Sequence, residues 1–330
     1  MLATFAGGWI VVLLLIVAAN PYGNLPVSLF SGHAIMDTNQ RYQYPAVAKS
    51  GLFDSVVIGT SSVRLLHPRA LAATYSGRFA NLAMDGATAW EQMRLAALFA
   101  RHAKRPGTLV LGLDHAWCLP DSDRERITTR GFPEWMYDGN PWRGLPHMLN
   151  GRTVEIAGRR LLNGLGLKPV RIPFDGYEVF VPPDADYDML KVRRNLGARS
   201  SPNDVPMSDA ERHALPFPVF RYLDDILRLE WARVVLLFPP VHINFLPVRQ
   251  SAAAHRDTEC KRRVVTLAAG YGAAVVDFRF PSSITERDDN FWDPLHFRVG
   301  IAQRIVEGLR QAAVDGADDP AGTFRVLGRP

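Results

Sequence analysis

The 330-residue sequence predicts a doubly wound, flavodoxin-like α/β sandwich of three layers with about five parallel strands, a long insertion and an N-terminal transmembrane helix. Three observations carry that expectation. Short runs rich in β-branched residues alternate with longer segments that suit helices. Polar residues able to do chemistry fall just after those runs, where open α/β sheets gather their sites. Apolar residues make up 47% of the chain against 22% charged, which allows a sizeable core and excludes global disorder.

Leu2 to Ala19 is an uncharged apolar run around Trp9-Ile10-Val11-Val12-Leu13-Leu14-Leu15-Ile16. It sits at the short end of what spans a bilayer, so residues 1–20 are expected to be a membrane anchor or an uncleaved signal. Val17-Ala18-Ala19 suits a cleavage site, but no Lys or Arg precedes the run and the first basic residue is Arg41. An uncleaved anchor, with the main domain periplasmic or extracellular, is the favoured reading. Residues 21–50, rich in Pro, Gly, Ser and Asn at their start, read as a linker or irregular arm.

The α/β domain is expected over 51–117 and 217–314. Its strands are read at Ser55–Gly59, Phe79–Ala83, Leu109–Leu113, Val234–Phe238 and Ala273–Asp277. Helices are expected at Thr88–Lys104, with Glu91 in the first turn and basic residues closing it, and at Val219–Trp231, Val248–Gly270 and Val299–Val314. Between them, 118–216 loses the alternation and carries one plausible helix, Val154–Leu165. A connection that long is rarely structureless, so it reads as an inserted lid or subdomain. The tail 315–330 is polar and expected to fray.

The net charge of +5 is spread over interspersed acidic and basic residues, unlike the clustered basic face that nucleic acid requires. No zinc spacing, phosphate loop or dinucleotide fingerprint is present, so no metal and no nucleotide cofactor is expected. Cys118 and Cys260 are open to pairing or to staying free, and neither lies in a C-x-x-C pattern.

Two motifs carry chemistry. Gly59-Thr60-Ser61-Ser62 ends the first strand and puts Ser61 at an expected helix start, where its backbone N–H faces a developing oxyanion. Capping of that helix by Ser61 or Ser62 is the plain alternative. Near the other end, Asp293-Pro294-Leu295-His296 sets a carboxylate and an imidazole three residues apart. In a helical turn that spacing brings them side by side, so that Asp293 orients His296 and His296 serves Ser61 as base. The alternative there is an exposed turn whose Asp293 caps the next helix.

On these motifs the chain resembles the SGNH (GDSL-like) hydrolase superfamily. Within it, the chain is most similar to membrane-anchored and periplasmic members tied to O-acylation of cell-surface polymers, such as alginate acetyltransferases and the protein of lipoteichoic-acid D-alanylation. The resemblance covers about 52–118 and 217–314 and leaves the insertion unmatched. It implies Ser61 as nucleophile, His296 and Asp293 as its partners, and Gly86, in Asn81-Leu-Ala-Met-Asp-Gly86, as a second oxyanion donor. It further implies an acylated glycan or acyl donor as substrate and a membrane-bound acyltransferase as partner. One block departs: the family's Gly-x-Asn-Asp is Gly112-Leu113-Asp114-His115, and an ionised Asp114 accepts hydrogen bonds where asparagine would donate. That fits specialised acyl transfer or an inactive accessory module better than general hydrolysis.

Other candidates to line the cleft are Asp114, His115, His242, Arg64 and Ser62; His115 reads rather as a structural histidine, His242 equally as a satisfied loop histidine, and Arg64 either meets an anionic substrate or pairs with a carboxylate. Trp135, Tyr137 and Trp142 in the insertion suit either sugar stacking or a small satellite core.

Overall fold

Val56, Val57 and Ile58 are fully buried, as are Leu109, Val110 and Leu111. Strands apolar on both faces need helices on both sides, which is the condition that builds a parallel sheet into a three-layer sandwich. A computed structural model of the chain describes residues 2–29, 34–199 and 207–329, with side chains from Gly8 onward.

The elements in chain order begin with α1 (Leu2–Ala19), α2 (Gln40–Lys49), β1 (Ser55–Ile58), α3 (Pro68–Tyr75), β2 (Phe79–Asn81), α4 (Ala89–His102) and β3 (Thr108–Gly112). The insertion holds α5 (Gly151–Gly164), α6 (Met189–Leu196) and α7 (Asp209–Ala214). Then come α8 (Phe220–Leu227), β4 (Arg233–Phe238), α9 (Ala252–Ala269), β5 (Ala274–Asp277), α10 (Val299–Asp315) and β6 (Arg325–Gly328). The sheet order is β2-β1-β3-β4-β5-β6, parallel except for β6. Two apolar clusters flank it, one led by Val56, Ile58, Leu109 and Leu111, the other by Val57, Val110 and Val276.

Four expectations need revision. The tail does not simply fray: Phe324 is buried at 2%, and Arg325–Gly328 closes the sheet as an antiparallel edge on β5. The arm contains α2, capped by the Asn39 side chain and sunk against α4 through Tyr44 and Val47; residues 30–33 of the arm lie outside the described residues. Among its described residues the insertion has no separate core: Tyr137 and Met148 join one flanking cluster and Val181 and Val192 the other. Its residues 200–206 lie outside the described residues.

The fourth concerns the N-terminus. Among the described residues no helix is long and apolar enough to cross a membrane, so the expected span is not found there; residues 1–7, where it would begin, lie outside the described side chains. The last turns of α1 pack against α5, burying Ile16 and Ala19, while Trp9, Ile10, Val11 and Leu14 stay about half exposed or more. Tyr22, just past α1, shares a 3.1 Å hydrogen bond with the Thr153 hydroxyl of α5.

Cys118 and Cys260 form a disulfide that ties the turn after β3 to α9 across 142 residues of sequence.

Candidate active site

Ser61 stands at the carboxyl end of β1, the second position of the sheet, on a single tight turn, Ser61–Val63. The helix expected to start at Ser61 is this one short 3-10 turn; α3 begins only at Pro68. Asn81 explains the turn, because its side-chain amide donates to the carbonyls of Val63, Arg64 and Leu66 at 3.1, 3.1 and 2.9 Å. Two glycines let the turn sit low on the sheet. A Cβ at Gly59 or Gly112 would fall 2.6 Å from a methyl of Val63, so Val63 occupies the space that both leave open. Ser62 is buried and shares a 3.1 Å hydrogen bond with Thr60, so it supports the turn from inside.

Asp293 and His296 lie on a loop whose ends are pinned by a bridge between the buried Phe291 and Phe297. The segment is not a helical turn. Its shape comes from Asp293, whose Oδ1 accepts from the N–H groups of Leu295 and His296 at 2.9 and 3.0 Å. Asp293 Oδ2 lies 2.7 Å from His296 Nδ1, and His296 Nε2 lies 2.8 Å from Ser61 Oγ. An ionised carboxylate only accepts, so Nδ1 carries the imidazole proton and Nε2 accepts from the serine hydroxyl. Burial pushes the Asp293 carboxyl up, but the imidazole and the two N–H groups outweigh it and hold it below its ordinary value. It therefore stays ionised at neutral pH.

Among the described residues, neither the Ser61 nor the Gly86 N–H donates to a protein acceptor. Gly86 has φ of +53°, a left-handed backbone that glycine adopts without strain, and open space where a Cβ would be. Both peptide groups are thus free to meet a ligand.

Asp114 does not donate either. Its Oδ2 accepts from the Thr60 hydroxyl at 2.7 Å and its Oδ1 from the Ala116 N–H at 3.0 Å. It ties the end of β3 to the residue before Ser61. His115 meets the Phe245 ring edge-on, at 5.0 Å between centroids.

His242 supports the site from below rather than lining it, being 1% exposed. Its backbone N–H donates to the Pro294 carbonyl at 2.9 Å. The Asn244 N–H donates to its Nδ1 at 3.2 Å, so the proton sits on Nε2 and reaches Asp288, also at 3.2 Å. Burial holds its pKa down, only partly offset by Asp288.

Arg64 is buried and bridges Asp85, at 2.6 Å, and Glu178. Its guanidinium lies over the Phe180 ring, at 4.6 Å, and Phe180 meets the His296 ring at 5.4 Å. Glu178 and Phe180 belong to the insertion and were not singled out from sequence. The segment is fastened by the Asn81 N–H, which donates to Asp175 O at 2.7 Å, and by Gly176, where a Cβ would strike the Asn81 carbonyl. Only the φ of +76° at Gly176 left a trace in the sequence, as the glycine itself.

Among the described residues no cluster of His, Cys, Asp and Glu is set to hold a metal ion. No family model matches the chain, and no curated protein matches it.

Proposed function

We propose that the chain is an SGNH-type serine esterase or O-acyltransferase acting on a cell-surface or exported glycan. The observation that carries this is the unbroken hydrogen-bonded path from Asp293 through His296 to Ser61 Oγ. Ser61 Oγ attacks the acyl carbonyl carbon of an ester or thioester while its proton passes to His296 Nε2. Negative charge moves to the carbonyl oxygen, where the Ser61 and Gly86 N–H groups receive it. The intermediate collapses, the leaving group departs with the proton from Nε2, and Ser61 is left acylated. Water or a sugar hydroxyl then gives its proton to Nε2 and attacks the acyl carbon; the second intermediate collapses by breaking the bond to Ser61 Oγ, which takes the proton back from Nε2, and the acyl group leaves on the acceptor. Asp293 stabilises the imidazolium in both halves.

The Cys118–Cys260 pair supports a periplasmic or extracellular setting, since disulfides persist where the surroundings are oxidising. The exposed apolar face of α1 supports attachment at a membrane, beside a membrane-bound acyltransferase that supplies the acyl group.

A second reading is favoured by one observation. With both oxygens of Asp114 used as acceptors, the side-chain donor of the family's oxyanion hole is missing. The chain would then be an inactive module that binds glycan or the membrane acyltransferase.

Intact-mass labelling of the full chain with a fluorophosphonate separates the two. The enzyme reading expects one adduct on the wild type and none on Ser61→Ala or His296→Ala. A folded wild type that takes up no label overturns it.

A further inference from the structure

A cavity of about 870 Å3 lies one residue removed from Ser61 and His296, which do not themselves line it. Its link to that site is Arg64, one turn beyond Ser61, and Phe180, whose ring meets His296. From there it runs out between the arm and the insertion, past Tyr42, Tyr22, Trp135 and His147. At this size it is in the range of sites that enclose a whole ligand.

Its walls have two properties. The first is aromatic surface. Tyr22 lies 5.5 Å from Tyr42 and 6.4 Å from Trp135, and Trp135 stacks on His147 at 5.7 Å with planes 7° apart. Gly144 is required for that stack, because a Cβ there would collide with the indole of Trp135. The second is charge that is already neutralised. Three guanidinium groups line the cavity, and so do three carboxylates. Arg64 pairs with Asp85 and Glu178, Arg130 with Asp85 at 2.9 Å, and Arg152 with Asp37.

These properties select a ligand. A polyanion meets three cations that each hold a carboxylate, and it faces those carboxylates as well. It gains little attraction and loses the solvation of its own charges. An apolar chain would bury the ion pairs without partners for their remaining donors and acceptors. A neutral polyhydroxylated ring suits both surfaces: its C–H faces stack on the partly exposed Tyr42 and Trp135, which the buried Tyr22 backs, and its hydroxyls donate to carboxylate and accept from guanidinium. We propose that this cavity binds an uncharged oligosaccharide, with Trp135 as a stacking platform, and presents one of its hydroxyls or ester groups to Ser61. The proposal rests on the acyl-transfer reading for what the bound sugar is used for, and on the cavity alone for its class.

The test is binding to the full-length Ser61→Ala protein, which cannot turn over. Neutral hexasaccharides (cello-, xylo-, manno- and chitohexaose) and hexagalacturonate are titrated by calorimetry at about 50 and 500 mM salt, concentrations that screen charge weakly and strongly. At least one neutral hexamer is expected to bind at least tenfold more tightly than hexagalacturonate, with affinity unchanged by salt. Trp135→Ala should weaken that binding at least tenfold, whereas the exposed Trp142→Ala should leave it unchanged. Hexagalacturonate binding as tightly as the best neutral sugar, or no neutral sugar binding at all, overturns the proposal without any further substitution. The fluorophosphonate adduct on the wild type is read in parallel. An adduct without neutral-sugar binding defeats the cavity assignment and leaves the serine chemistry standing. Binding without an adduct does the reverse.

Discussion

The Thr60 hydroxyl donates to Asp114 Oδ2 across 2.7 Å, and that bond joins the residue before Ser61 to the end of the neighbouring strand. Asp114 also caps the turn that follows β3 by accepting from Ala116 N–H. The carboxylate is therefore a brace for the Ser61 turn, and on the acyl-transfer proposal stabilisation of an oxyanion would fall to backbone N–H groups.

The brace makes Asp114→Asn and Asp114→Ala behave differently. Asparagine keeps one acceptor for Ala116 N–H and turns an amide toward Thr60, whose hydroxyl can accept instead. Alanine removes the cap and leaves Thr60 without that partner. Asp114→Ala is expected to lose about 1–2 kcal/mol of stability, by the usual cost of a lost cap, and to slow fluorophosphonate labelling of Ser61. Asp114→Asn should label within a few-fold of wild type or faster. Urea unfolding and labelling rates check both; equal slowing by the two substitutions would mean that the negative charge itself is needed.

Arg41 and Glu91 form a second fixed point, with both side chains fully buried. The guanidinium donates to Glu91 through two bonds of 3.0 and 2.7 Å, and Glu91 also receives the Thr88 N–H in a capping box. The pair locks α2, and with it Tyr42 of the cavity wall, onto α4. Removing either partner strands a buried charge, so Arg41→Ala and Glu91→Ala should each cost about 3–5 kcal/mol in denaturant unfolding. An Arg41→Met, Glu91→Leu double variant should recover most of that loss. If the double variant loses as much as the two singles added together, the pair is not the origin of the cost.

The juxtaposition of Ser61, His296 and Asp293 was legible because each half is local: a serine after a β-branched strand, and Asp293 and His296 three residues apart. The sheet was legible in five of its strands for the same reason, since Val, Ile and Leu runs mark buried strands without reference to the rest of the chain. What escaped is tertiary. Glu178 and Phe180 reach the site because Asp175 and Gly176 dock on β2, and nothing in their own segment has a helical or strand period. α2 was obscured by Pro45 inside it, although Asn39 offered a cap signal. β6 has only four residues, and one buried neighbour, Phe324, to announce it. His242 was open between a cleft residue and a satisfied loop histidine because its burial, which favours the second, depends on the loop folding over it.

That burial sets a pH dependence. The His242 pKa is depressed below its ordinary value of 6.5, by desolvation first. As pH falls through about 6.5 the unfolded chain takes up a proton that the folded chain refuses, so stability drops until the folded pKa is reached. Asp293, also depressed, adds a further loss only below about pH 4, the ordinary carboxyl range. The melting temperature should therefore decline between about pH 7 and 5, and His242→Gln, though less stable overall, should flatten that slope. An unchanged slope in the variant would assign the decline to other groups.

The disulfide sets the last constraint. Cys118 follows β3 by a few residues, and the Arg279 guanidinium, whose other bonds reach Leu113 O and Asp257, donates to its sulfur at 3.3 Å. The bond thus fixes the strand end that carries Asp114 to α9 and to the end of β5. Closing a loop of 142 residues restricts the unfolded chain strongly, which places the expected contribution at about 2–5 kcal/mol. A Cys118→Ala, Cys260→Ala variant should melt well below the oxidised protein, and a reductant should lower the wild type to the same temperature while leaving the variant unmoved. Labelling of Ser61 should fall in the reduced protein before global unfolding, because the Asp114 brace hangs from the loosened turn. If reduction shifts neither melting nor labelling, the two sulfurs are not joined in the folded chain in solution.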